Sequence, residues 1–301
     1  MVKKLVLLVV GIMMAALFAG CGNDAPKEQA SKKIQVVTSF NAMAEFTKAI
    51  GGDKVEVSTI IPDGVEPHDF ELKPENMKQL ATAQVFVYNG FGMEPWAKQA
   101  IEAAKNDKLV TVVATEGVEA IKNTDPEEIK EHGAEDPHAW LSLKNAKIEV
   151  KNIKDALVKA DPANKDYYEK NYTEYVAKLD AMIKKYEEQF AKAPHKNFVT
   201  GHAAFAYLCR DFGLEQNSVE DVFAEGEPNA AQLAKLIEYV KENNIKTIFA
   251  EEMASPEVSK TLAKEVGAKV ETIYTIESKE DDKTYLQRMD ENLAKILESL
   301  K

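Results

Sequence analysis

IQVVTSFNAMAEFTKAIGGDKVEVSTIIPDGVEPHDFELKP (34–74) decides the fold class. Its first seven residues, 34–40, are rich in β-branched and apolar side chains and read as a strand. A helix follows and stops near Gly51-Gly52, and VEVSTIIP (55–62) is a second strand. A loop through 63–73 leads to a helix starting near Pro74. AQVFVYNG (83–90) and LVTVVATEG (109–117) are further strands, separated by a helix over 95–105. Strands alternating with helices at this spacing predict parallel βαβ units.

The pattern breaks at TDPEEIKEHGAEDP (124–137), an acidic loop that includes His132. From 144 to 192 the chain is helix-favouring and nearly free of Gly and Pro. Tyr168, Tyr172, Tyr175, Leu179, Met182 and Tyr186 recur at three- and four-residue steps, one face of a long helix. Asp161-Pro162 marks its start, and a helix over 163–192 would extend about 45 Å. Strand–helix alternation then resumes: NFVTG (197–201), IKTIFAEE (245–252) and KVETIYTI (269–276) are strands, with helices between them and a closing helix over 283–300. The expected fold is α/β: two parallel-sheet lobes bridged by one long rigid α-helix, with a cleft between the lobes. The boundaries read as a signal peptide (1–20), a tether (21–33), an N-terminal lobe (34–143), a helical linker (144–194) and a C-terminal lobe (195–301).

Lys3 and Lys4 precede an apolar run, Leu5–Phe18, then Ala19, Gly20 and Cys21. A basic head, a short apolar stretch and small residues describe an export signal. Phe18-Ala19-Gly20-Cys21 resembles a bacterial lipobox, which makes Cys21 the lipidated first residue of the mature chain. Polar residues 22–33 then serve as a flexible tether. The net charge of −12, from 38 basic and 50 acidic residues, argues against nucleic-acid binding and suits a collector of cations. Apart from Cys21 the only cysteine is Cys209, so no intramolecular disulfide forms after lipidation, and its apolar neighbours predict a buried, inert thiol.

Ligands of open α/β sheets bind beyond the carboxyl ends of the strands. His68 follows the strand at 55–62, His202 the strand at 197–201, and Glu277 the strand at 269–276. His138 lies in DPHAWLS, ahead of the helical linker. Only five histidines exist, and these three fall on such loops, divided between the lobes. Three imidazoles and a carboxylate suit a borderline divalent cation such as Zn²⁺ and tolerate Mn²⁺. Asp69 and Asp136 are candidates to hold the second ring nitrogens.

The chain resembles the cluster A-I metal-binding receptors of ABC transporters, the zinc and manganese group. EPHDFELKP, DPHAWLS and FVTGHAAFAYLCRDFGLEQ (198–216) match the family's three metal-histidine motifs at His68, His138 and His202, within a likeness that covers about 34–301. The resemblance implies an extracytoplasmic solute-binding receptor on the outer face of the cytoplasmic membrane. It would be a monomer anchored by its N-terminal lipid. It would deliver its ion to a permease served by a separate ATPase subunit. The metal set it implies is His68, His138, His202 and a carboxylate after the last strand, at Glu277. Asp281, Asp282, Glu66 or a water are the alternatives. Histidine rather than Glu at position 202 leans toward Zn²⁺ as cargo, with Mn²⁺ the alternative. The spine helix implies limited opening and closing. The short loop at 125–136 lacks the histidine-rich insert common in zinc receptors, and His132 and His195 read as surface residues.

Two other functions compete. A zinc-dependent hydrolase needs an open coordination site beside a base, and no hydrolase motif is present. Lipoproteins of this family have also been called adhesins, so an adhesion role stands as a second reading. There is no dinucleotide fingerprint around Asn89-Gly90-Phe91-Gly92 and no phosphate-binding P-loop. The chain therefore reads as a binding protein and not an enzyme.

Overall fold

The computed structural model describes residues 33–123, 129–130, 133–222, 224, 229–251 and 256–301. The signal peptide, Cys21, most of the tether, and His132 lie outside the described residues.

Among the described residues, eight strands form two four-stranded parallel sheets. The first contains β1 (Ile34–Thr38), β2 (Val55–Thr59), β3 (Val85–Tyr88) and β4 (Val110–Val113), in the order β2-β1-β3-β4. The second contains β5 (Asn197–Thr200), β6 (Glu215–Ser218), β7 (Thr247–Ala250) and β8 (Lys269–Thr272), in the order β6-β5-β7-β8. These are one topology used twice, although the sequence shows no repeat of fixed period. In each sheet the strand order reverses once, between β1 and β3 and between β5 and β7, which opens a crevice at the carboxyl ends.

Helices α1 (Asn41–Gly51), α2 (Pro74–Thr82) and α3 (Ala97–Ala104) connect the strands of the first lobe. The first stops where predicted. Gly52 takes φ +51°, and a Cβ there would meet the Tyr167 hydroxyl at 2.3 Å. Helices α6 (Ala206–Phe212), α7 (Ala230–Glu242) and α8 (Pro256–Val266) connect the second lobe, and α9 (Tyr285–Ser299) closes the chain.

The sequence reading missed one strand, β6. Its residues, Glu215-Gln216-Asn217-Ser218, are polar and only partly buried, because it is the edge of its sheet and has a neighbour on one side only. No apolar alternation betrays such a strand.

The helical stretch between the lobes is two helices. α4 (Leu143–Ala160) packs on α1, and a 3₁₀ turn (Pro162–Asn164) reverses the chain into the spine, α5 (Lys165–Lys192). Asp161 accepts hydrogen bonds from Asn164 and from the Tyr168 hydroxyl, which pins that reversal. The buried stripe of α5 is Tyr168, Tyr175, Leu179, Ile183, Tyr186 and Phe190, with Tyr172 and Met182 at its margin. At one end Asn171 donates to Ile50 O in the first lobe, 2.9 Å. At the other, Phe190 stacks on Phe212 of the second lobe, ring centroids 5.1 Å apart.

Successive strand residues face opposite sides of a sheet. In the second lobe, Phe198 and Phe249 join the core shared with the first lobe, α5 and α9. Val199 and Ile248 face a separate core under α7 and α8. One close-packed hydrophobic body therefore runs through both lobes, and close-packed interiors resist shear. Cys209 is buried and burial pushes its thiol up, as the sequence suggested for an inert cysteine.

Candidate metal centre

Three imidazoles and one carboxylate from four distant parts of the chain meet between the lobes. His68 sits on the loop after β2, His138 ahead of α4, His202 directly after β5 and Glu277 after β8. One ligand atom from each lies within 4.8 Å of all the others. His138 Nε2 is 3.2 Å from His68 Nε2 and 3.3 Å from His202 Nε2. Glu277 Oε1 is 3.5, 3.3 and 3.8 Å from the Nε2 atoms of His68, His138 and His202. Donors placed tetrahedrally 2.0–2.1 Å from one Zn²⁺ would stand about 3.3 Å apart. Five of the six edges, 3.2 to 3.8 Å, lie close to that tetrahedron, and the sixth, between His68 and His202, is within 4.8 Å.

The second nitrogens explain why the Nε2 atoms point inward. Asp136 Oδ1 accepts from His138 Nδ1 at 2.8 Å and from the His138 backbone N–H at 2.9 Å. Glu251 Oε2 accepts from His202 Nδ1 at 3.1 Å, and its two oxygens also take the N–H groups of Gly201 and His202. A proton on each Nδ1 leaves an Nε2 lone pair facing the centre. Lone pairs this close repel until a proton or a cation lies between them. Glu277 is arranged likewise: Thr275 Oγ1 donates to Oε2 at 2.7 Å, while Oε1 is buried with no hydrogen-bond donor.

The electrostatics follow. Burial works against charge on His202, but Glu251 outweighs it and the imidazole is pushed up to about 10. Burial opposes charge on His138 too, and Asp136 and Glu277 more than offset it. At His68 burial is the largest influence and lowers the imidazole, with Glu277 working the other way. Burial favours the neutral acid at Glu277, yet His138 and His68 hold it well below the usual carboxylate range. The cluster thus keeps a carboxylate and positive charge in contact in a dry pocket.

Hydrogen bonds from both lobes frame the site. The His138 segment is fastened mainly to the second lobe: Trp140 Nε1 donates to Thr275 O (2.7 Å), Tyr285 to Trp140 O (2.6 Å) and Tyr207 to Asp136 O (2.6 Å). Ser142, which caps α4, also donates to Asp211 of α6. Asn89 of the first lobe donates to Pro137 O at 2.8 Å.

The structure separates the sequence candidates. His68, His138, His202 and Glu277 come together. Asp281 instead binds Arg288 and Lys283, and Asp282 is exposed beside Lys279, so neither reaches the centre. Glu66 is part-buried at the rim and accepts from the His68 N–H at 3.3 Å; burial and Glu277 push its carboxyl up to about 7. Asp136 holds a ring nitrogen as expected, but Asp69 is exposed. The carboxylate missed from sequence is Glu251. It is the first residue past β7, at the strand reversal, and the same strand-end rule that found His202 points to it. His195 is exposed.

The chain is similar to known zinc-uptake proteins. The model of the family described as zinc-uptake complex component A, periplasmic (ZnuA), matches residues 36–299. The high-affinity zinc uptake system protein ZnuA of Bacillus subtilis is 42% identical over 299 residues, covering 94% of this chain and 94% of that protein. The crystal structure of the metal-dependent lipoprotein YcdH from Bacillus subtilis matches with a TM-score of 0.76 at 42% identity, over 89% of this chain and 99% of that one. The laminin binding protein Lmb of Streptococcus agalactiae, described as bifunctional with adhesin and metal transporting activity, matches with a TM-score of 0.80 at 33% identity. That match covers 89% of this chain and 100% of the other.

Proposed function

We propose that this chain, which belongs to the zinc-uptake complex component A family, captures Zn²⁺ with His68, His138, His202 and Glu277 and hands it to a membrane permease driven by a separate ATPase. As a member of that family it is an extracytoplasmic binding component of zinc uptake and not an enzyme. Four protein donors enclose the ion and leave no position for an activated water, which suits capture and release rather than hydrolysis. Three imidazoles favour Zn²⁺, and Zn²⁺ outcompetes Mn²⁺ at nitrogen-rich sites.

One observation carries the reading: three Nε2 atoms and an undonated carboxylate oxygen lie within 4.8 Å of one another, which suits four donors around one ion. Cys21 supplies the lipid that holds the protein, as a monomer, to the outer face of the membrane. Metal analysis of protein isolated from its native envelope tests the cargo, and equimolar Zn²⁺ with loss of binding in His68→Ala is the expected result. Protein recovered with Mn²⁺, or zinc uptake untouched by that substitution, would overturn it.

A further inference from the structure

The fourth donor sits on a turn that is held from the opposite lobe. Glu277 follows Ile276, a β-branched residue with φ +63°, in the left-handed region that such side chains avoid. Left to itself this turn would relax and swing Glu277 away. Asn41, the first residue of α1, reaches across from the first lobe and clamps it. Its side-chain Nδ2 donates to Ile276 O at 3.2 Å and its backbone N–H donates to Glu277 O at 3.3 Å. Asn41 is 5% exposed and both bonds lie in the interior. The neighbouring ties leave this one as the hinge of the arrangement. Thr275 is fixed by Trp140 on one side, and Ser278 accepts from the Gly64 N–H, 2.7 Å, on the other.

We propose that Asn41 is a positioning residue for the metal: its carboxamide holds Ile276 in the left-handed conformation and so aims Glu277 Oε1 at the three imidazoles. The inference rests on the zinc-receptor reading and adds to it a residue that touches no metal. Removing the amide lets Ile276 leave the left-handed region, and the fourth donor is lost with it. The turn then adds the fourth donor to an ion that the three histidines already hold.

The test is a double-mutant cycle on the full mature chain with zinc affinity and the Co²⁺ absorption spectrum as readouts. Asn41→Ala is expected to weaken Zn²⁺ binding by about 10-fold or more, the scale of losing a residue that orients a ligand. The tetrahedral Co²⁺ bands should lose intensity as a water replaces Glu277. In the Glu277→Ala background the same change should do nothing further. Asn41→Leu, which keeps the size and removes the donor without burying a charge, should also dim the Co²⁺ bands, and the metal-free melting temperature read alongside tells a loss of folding from a loss of the fourth donor. Equal losses in both backgrounds, or an unaltered Co²⁺ spectrum, would overturn the proposal. So would a Glu277→Ala variant that binds zinc as well as the parent. A parent chain that binds no zinc would instead sink the receptor reading itself.

Discussion

His138 and His202 face each other Nε2 to Nε2 across 3.3 Å, while behind them Asp136 and Glu251 hold their Nδ1 atoms at 2.8 and 3.1 Å. Each ring is held between a carboxylate behind it and its neighbour's Nε2 in front, so a proton or a cation must lie between the two nitrogens.

Zinc should stabilise the fold through this site alone. Free Zn²⁺ at about 100 times its dissociation constant adds roughly 2.7 kcal/mol, seen as a rise in melting temperature. In His68→Ala, His138→Ala or His202→Ala the rise is expected to vanish at the same zinc concentration. A rise of parental size in any of the three would show that the ion binds elsewhere.

The carboxylates behind the rings should matter nearly as much as the rings. Asp136→Asn and Glu251→Gln keep size but weaken the hold on Nδ1 and the preference for a free Nε2. Each is expected to lower zinc affinity by about 10- to 100-fold. Competition against a chelator of known affinity measures it. Glu251→Gln should have the larger effect, since Glu251 also takes the backbone N–H groups of Gly201 and His202.

Zinc must displace a proton. His202 is pushed up to about 10 and is charged in the metal-free protein at neutral pH. Its folded value lies above its ordinary 6.5, so its charge stabilises the metal-free fold fully below 6.5, and that contribution fades as pH rises through 10. Binding at pH 7 is expected to release about one proton, and affinity should climb as pH rises. Calorimetry in buffers of different ionisation enthalpy reads the proton count; no dependence on buffer would contradict it.

Glu149, on α4, should make the metal-free protein less stable as pH rises. It is fully buried, neither oxygen has a hydrogen-bond partner, and burial pushes the acid up to about 8 from an ordinary 4.5. The folded state therefore keeps a proton that the unfolded state gives up. Stability falls across pH 4.5 to 8 and levels off above, at about 1.4 kcal/mol per pH unit at most. Glu149→Gln is neutral throughout and should flatten that decline, leaving the variant the more stable of the two near pH 8. A melting-temperature profile against pH decides between the two.

The linear chain by itself determined the pattern of βαβ units, the long tyrosine-lined helix and the three histidines on loops, because these depend on short-range periodicity and on where a parallel sheet exposes its ligand crevice. Polar edge strand β6 escaped, since one-sided burial leaves no alternation to read. What tertiary structure alone decided is which groups complete the centre. Glu277 rather than Asp281 or Asp282, Glu251 rather than Asp69, and the hold of Asn41 on Ile276 all arise from residues tens to hundreds of positions apart. Their selection depends on how two lobes pack around one continuous core, and distances set by that packing have no signature in local sequence.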